Sequence, residues 1–285
     1  MDILLALFPA LFWGSIVLVN VRLGGGPYSQ TLGTTIGALF FSIVIYVFVH
    51  PHLTSFILLI GFISGLFWTL GQRNQLKAVE YMGVSKTMPI STGMQLVSAS
   101  LFGVIAFKEW STKTSIILGV IALVLIVIGI ILTTLKGPDQ TEEKGQLKRG
   151  IFTLIISTIG YLVYVVIIRF FHIDSWSAIL PQAIGMVVGG LLLTYRHKPF
   201  NMYTVKNIIA GLIWAAGNLF LFISQPKVGV GTSFSLSQMG IIISTLGGII
   251  FLKEKKTKKQ LIGIAAGIIL IIGGAVFLGL AKSRT

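Results

Sequence analysis

Cysteine is absent from these 285 residues, so neither disulfides nor thiolate chemistry can support the chain. Charge is scarce: charged residues make up 11%, against 54% for the hydrophobic set, with a mean hydropathy of +0.93. Acidic residues are rarest, eight in all: Asp2, Glu80, Glu109, Asp139, Glu142, Glu143, Asp174 and Glu254. None falls in the middle of an apolar run, where a proton-relay carboxylate would be expected. The four histidines, His50, His52, His172 and His197, sit in connections without metal-ligand spacing. No Walker-type run occurs, so ATP-driven work would need a separate subunit. An enzyme is the least expected class, and no cofactor or metal is expected.

What remains is membrane. Residues 116–135 and 261–280 carry no charge over the roughly 20 residues that a spanning helix requires. Strand alternation is missing, which disfavours a barrel. Apolar runs broken by charge, proline or glycine predict ten helices, at 3–21, 31–49, 56–78, 85–107, 114–135, 150–169, 176–195, 205–224, 231–252 and 260–280. The first run lacks a basic leader and a clear cleavage site, so it reads as a retained helix rather than a signal peptide.

The chain also repeats itself. Gly65-Leu66-Phe67-Trp68, with Gly71 and Gln72, returns about 146 residues later as Gly211-Leu212-Ile213-Trp214, with Gly217 and Asn218. Gly83-Val84 answers Gly229-Val230, and Lys108-Glu109 answers Lys253-Glu254. The expected organisation is a first five-helix repeat over 1–135, a linker over 136–149 and a second repeat over 150–285. Five spans before the linker make the second half enter the membrane inverted, the architecture of carriers whose halves enclose one site.

The net charge of +14 comes from 22 lysines and arginines that lie mostly in short connections. They do not interleave with aromatics as a nucleic-acid groove would require, so no nucleic-acid partner is expected. Six of the 22 fall on the face with the chain termini, leaving 16 opposite, which puts both termini outside the cell. Membrane lipids account for the charge. Gly33-x-x-x-Gly37, Gly185-x-x-x-Gly189 and Gly263-x-x-x-Gly267 suit close helix packing within a monomer, or else the face of a weak homodimer.

Polar groups inside the spans are the candidate site. Trp68, Gln72 and Gln75 share one helix face, and Trp214 with Asn218 repeats the indole-then-amide spacing. Ser91 and Gln95 follow in the fourth span, Ser237 and Gln238 in the ninth. Amides donate and accept, and an indole face covers the C–H side of a ring, so the set suits a neutral polyol such as a sugar. The alternative is that these amides are glue between helices. Trp13 with Asn20, and Tyr161 with Tyr164, could supply walls. Glu109 and Glu254, at equivalent repeat positions beside lysines, read as gate or salt-bridge residues. Arg73 and Lys77 either reach the headgroups or offer a cation to an anionic substrate.

Phe12-Trp13-Gly14-Ser15, Gly24-Gly25-Gly26-Pro27-Tyr28, the run Gly83-Val84-Ser85-Lys86-Thr87-Met88-Pro89 and the run Ser224-Gln225-Pro226-Lys227-Val228-Gly229-Val230 carry a resemblance. The chain resembles bacterial glucose/ribose uptake proteins of the drug/metabolite transporter superfamily over residues 3–281. That resemblance implies ten helices in two repeats and secondary-active uptake of a monosaccharide across the bacterial plasma membrane. Glucose is the first expectation, with proton coupling. Ribose uptake, or export of an amino acid or other small metabolite by the same fold, are the alternatives. Relatives in the wider superfamily are drawn with cytoplasmic termini, opposite to the charge count.

Overall fold

A computed structural model describes residues 2–134, 144–228 and 236–283, helical in every element. The helices are α1 Asp2–Leu23, α2 Gly26–Val49, α3 Ser55–Met82, α4 Val84–Phe107 and α5 Lys113–Thr133. The later ones are α6 Lys144–Phe170, α7 Ser175–Thr194, α8 Met202–Val228, α9 Gly240–Ile250 and α10 Lys258–Ser283. Among the described residues, nine helices are long and apolar enough to cross a membrane, so this is a multi-pass membrane protein.

Local chemistry sets the ends. Gly25 stands at φ 89° before α2, and Pro27 occupies the first turn, where its missing N–H costs nothing. Thr54 and Asp174 accept the backbone N–H three residues on, at Ile57 and Ser177. Thr112 with Ser115, and Thr257 with Gln260, form reciprocal caps that open α5 and α10. The two connections before them also match: Lys108 at φ 52° and Lys253 at φ 55° each reverse the chain.

Of the expected ninth span, 231–252, only part lies in the described set. Residues 231–235 lie outside the described set, and α9 begins only at Gly240. Ahead of it, Met239 N–H bonds Leu236 O at 3.1 Å and Ile242 N–H bonds Met239 O at 3.0 Å, i→i+3 contacts of a tight turn. The eleven described residues of α9 rise about 16 Å, the shortest of the ten helices.

Antiparallel succession puts residues 50–54, 108–112 and 171–174 at the end where α1 starts. Residues 24–25, 83, 195–201 and 251–257 lie at the other. Packing runs across the halves of the chain: α3 lies on α6 and α7, α8 on α1 and α2, α5 on α10, and α4 on α9. Glycine permits the closest approaches. A Cβ on Gly37 would lie 2.0 Å from Ile208 O, one on Gly211 2.0 Å from Thr34 O, and one on Gly185 2.0 Å from Phe62 O. Gly267 meets Gly129 O in the same way. All three small-residue motifs are thus used inside the chain, where van der Waals contact replaces the missing hydrophobic drive. The outer surface is apolar, with Phe48 and Ile105 each 80% exposed, as lipid-facing side chains should be.

Candidate functional site

At the centre, Trp68 of α3 and Trp214 of α8 touch edge to face, ring centroids 5.2 Å apart. Tyr161 of α6 stands edge-on to Trp68 at 6.3 Å. Ile16, Ala38, Met186, Ala210 and Ala215 complete the buried cluster. The two indoles at equivalent repeat positions therefore meet directly, each no more than 5% exposed.

Two glycines at equivalent positions make this possible. Gly71 lies under the ring of Tyr161, and Gly217 lies under the ring of Trp13. Any side chain there would enter the aromatic ring. Trp13 donates its indole N–H to Trp214 O at 3.2 Å, a carbonyl that also accepts from Asn218 Nδ2 at 3.0 Å. Tyr161 Oη donates to Gln72 Oε1 at 2.6 Å and lies 3.2 Å from Gln75 Oε1.

From Gln75 the polar chain continues. Its Nε2 donates to Ser91 Oγ at 2.7 Å, and Gln95 Nε2 donates to the same oxygen at 3.0 Å. Gln72, Gln75, Ser91 and Gln95 thus form one connected set with Tyr161, joining α3, α4 and α6. Gln72 Nε2 is buried and has no hydrogen-bond partner among the described residues. An orphan donor of this kind costs about 1–3 kcal/mol, which a bound acceptor would recover.

Ser237 and Gln238 sit in the turn before α9, where Gln238 Nε2 donates to Ser237 Oγ at 3.3 Å. Nearby, Leu96, one residue after Gln95, packs against Ile241. Asn20 is fully buried near the α1–α2 turn, accepting from Gln30 Nε2 at its backbone and from Thr34 Oγ1 at its side chain. It belongs to the helix ends, away from the indoles. Tyr164 packs on the aromatic cluster, and its carbonyl accepts from Ser64, which in turn accepts from Gln182. These last contacts are glue.

Charge stays at the ends. Arg73 is half-buried, donates to Asn74 Oδ1 and Tyr28 Oη, and lies over the Tyr28 ring at 5.3 Å. Lys77 pairs with Glu80 at 3.0 Å. With 28 residues, α3 is about 42 Å long, so its last turns extend beyond a hydrocarbon core of about 30 Å.

Glu109 and Glu254 occupy matching corners at opposite ends. Their N–H groups bond Gly103 O and Gly248 O at 3.3 and 3.2 Å. Glu109 pairs with Arg169, whose guanidinium covers Phe107 at 4.2 Å. Glu254 instead crosses to the start of α4, accepting from Val84 N–H at 2.6 Å, from Ser85 N–H at 3.2 Å and from the Ser85 hydroxyl. Lys256 lies 3.4 Å from the same carboxylate.

The partners of the amides escaped the sequence reading, which offered Tyr161 only as a wall. A signal existed: Gly14 and Gly160 are equivalent, and an aromatic residue flanks each, Trp13 before one and Tyr161 after the other.

Comparison with known proteins meets this geometry at full length. The family model described as sugar transport protein matches residues 4–281. The chain belongs to that family. It is 70% identical to the glucose uptake protein GlcU of Bacillus subtilis (strain 168), over all of both chains. It is also 70% identical to a "Probable glucose uptake protein GlcU" of Priestia megaterium, covering 99% of this chain and all of that one. One crystal structure, 15% identical, superposes with a TM-score of 0.65 over 99% of this chain and 98% of the other, a likeness of fold alone. The family is one of transporters rather than enzymes, and this chain is a multi-pass protein of the bacterial plasma membrane.

Proposed function

We infer that the protein is a secondary carrier that takes glucose into the bacterial cell. The observation that carries this reading is the uncharged pair of indoles, Trp68 against Trp214, flanked by amides with a spare buried donor on Gln72. An indole offers a face to the apolar side of a pyranose, and an amide can donate to or accept from its hydroxyls. No ionised group lies among these residues, as suits a neutral substrate. Trp68, Gln72, Gln75, Ser91, Gln95, Trp214, Asn218, Ser237 and Gln238 are the proposed binding set.

The proposed frame is ten spans in two inverted five-helix repeats, 1–135 and 150–285, joined by 136–149. What supports it is the packing. Exchange each helix for the one five places on, and α3 on α6 becomes α8 on α1, while α2 on α8 becomes α7 on α3. Two such halves can rock about a shared centre. In this conformation the indoles are in contact and buried, so a sugar would enter only once the halves separate. Glu254 on the start of α4 is the proposed latch at its end, and Glu109 with Arg169 the proposed ion pair at the opposite end. With its small-residue seams used internally, the carrier is proposed to work as a monomer in lipid, driven by protons.

Uptake of labelled glucose by purified protein in liposomes, with and without an inward proton gradient, tests both statements. Accumulation against a gradient, competed by unlabelled glucose, is expected. Uptake indifferent to the proton gradient would remove the coupling, and no uptake of any monosaccharide would remove the function.

A further inference from the structure

Tyr161 has one hydroxyl proton and two amide oxygens within reach, and that imbalance fixes the direction of the polar chain. The 2.6 Å contact to Gln72 has the length of an O–H···O bond, shorter than an amide N–H usually makes. Gln75 is oriented independently, because its Nε2 is 2.7 Å from Ser91 Oγ, leaving its oxygen toward Tyr161. Both carbonyl ends therefore turn to the tyrosine. The consequence falls on Gln72: its oxygen is occupied, while its Nε2 is buried and has no partner among the described residues, in a residue only 4% exposed.

Resting on the binding site proposed above, we propose that Tyr161 is a positioning residue that locks Gln72 as a hydrogen-bond donor, so that the carrier reads an acceptor oxygen on the sugar at that point. Gly71 holds the ring in place, since its missing side chain leaves the space that the Tyr161 ring fills. Without the hydroxyl the Gln72 amide can rotate and present either end. Selection at one sugar position would be lost, although the indoles and the other amides remain.

Deoxy and deoxyfluoro glucoses test this in liposomes, because fluorine accepts weakly and cannot donate. In the unmodified carrier, one ring position should lose about tenfold in competing strength on deoxygenation and recover part of it with fluorine. Tyr161→Phe should raise KM for glucose about fivefold, leave the maximal rate within about twofold, and abolish the difference between deoxy and fluoro sugars at that position. A role limited to packing would leave that difference intact, and an unchanged difference in monodisperse Tyr161→Phe overturns the proposal. If that variant is not monodisperse in detergent, Gln72→Met decides with the unmodified carrier. The fluorine-tolerant position must exist in the first and vanish in the second, and its absence from the unmodified carrier is equally fatal. Should Gln72→Met transport like the unmodified protein, the binding site itself is misplaced. Should it fail while Tyr161→Phe keeps full selectivity, only the role of Tyr161 falls.

Discussion

Trp13 gives its indole N–H to the carbonyl oxygen of Trp214, 201 residues further along the chain, at 3.2 Å. This bond ties the first helix to the residue whose ring meets Trp68, so the two indoles are held by a contact between the halves of the chain. Gly217 makes room for it, since a Cβ there would lie 2.4 Å from Trp13 Nε1.

Two substitutions should therefore interact. Trp13→Phe removes one part-buried hydrogen bond and should cost about 1 kcal/mol. Gly217→Ala forces the indole aside and should cost about 1–3 kcal/mol. In the double variant the smaller ring leaves room for the new methyl, so the costs should sum to less than the two alone. Thermal stability in detergent, followed by size-exclusion chromatography, measures all three.

Removing the amides should separate transport from folding. Gln72→Ala deletes a side chain whose Nε2 has no partner among the described residues, and leaves Tyr161 Oη within reach of Gln75 Oε1. Uptake at low glucose should fall about tenfold, the loss expected for one good hydrogen bond to substrate, while the yield of folded protein stays close to normal. Asn218→Ala also frees a bond to Trp214 O, within the same helix. It should impair uptake with slightly lower stability. Initial rates in liposomes, normalised to monodisperse protein, compare them.

The helices were legible because charge-free runs of spanning length leave few alternatives, and because the repeat marks the same breaks twice. Their ends were less so. The third span was expected to stop at 78, where Arg73, Asn74, Lys77 and Glu80 look like a terminus, yet α3 continues to Met82 with Lys77 and Glu80 paired along it. The second begins at Gly26 rather than 31, since a proline in the first turn starts a helix as readily as an apolar residue continues one. At the site, glutamines and tryptophans stood out in apolar runs. Their partners depend on how α6 and α1 seat against Gly71 and Gly217, a matter of helix register that spacing along one helix does not contain.

The seam between α2 and α8 should tolerate no side chain. A Cβ at Gly37 would meet the backbone at Ile208 O, which cannot rotate away as a side chain could. Gly37→Ala should destabilise by about 1–3 kcal/mol, and Gly37→Leu should prevent accumulation of monodisperse protein. Gly145, with no described atom within 4 Å of an added Cβ, is the control: Gly145→Ala should not lower thermal stability.

Glu254 should hold α4 shut at its start. Its carboxylate accepts from Val84 and Ser85 N–H groups that would otherwise lack partners at a helix start. Val84 is 1% exposed, and the chain has no cysteine of its own. A Val84→Cys variant should react slowly with a soluble maleimide. Adding Glu254→Ala should speed that reaction about tenfold, the shift that loss of a helix cap implies. Glu254→Gln keeps one acceptor oxygen and should fall between. Equal rates in all three would mean that the contact does not restrain this end.

Which end faces the cytoplasm decides what that latch does. Lys253, Lys255 and Lys256 in the connection between α9 and α10, with Lys258 and Lys259 opening α10, crowd the same end as Arg22 and Lys198. The opposite end carries fewer: Lys108, Lys113, Arg169 and Lys227. Short loops rich in lysine stay on the cytoplasmic side, so the latch at Glu254 should close the inner face and the termini should lie outside. Ser111 and Lys255 are exposed and stand at opposite ends. In intact cells a membrane-impermeant maleimide should label Ser111→Cys, and should reach Lys255→Cys only after permeabilisation. The reverse pattern would place the termini in the cytoplasm and turn the Glu254 contact into the closure of the outer face, so that this conformation would open inward first.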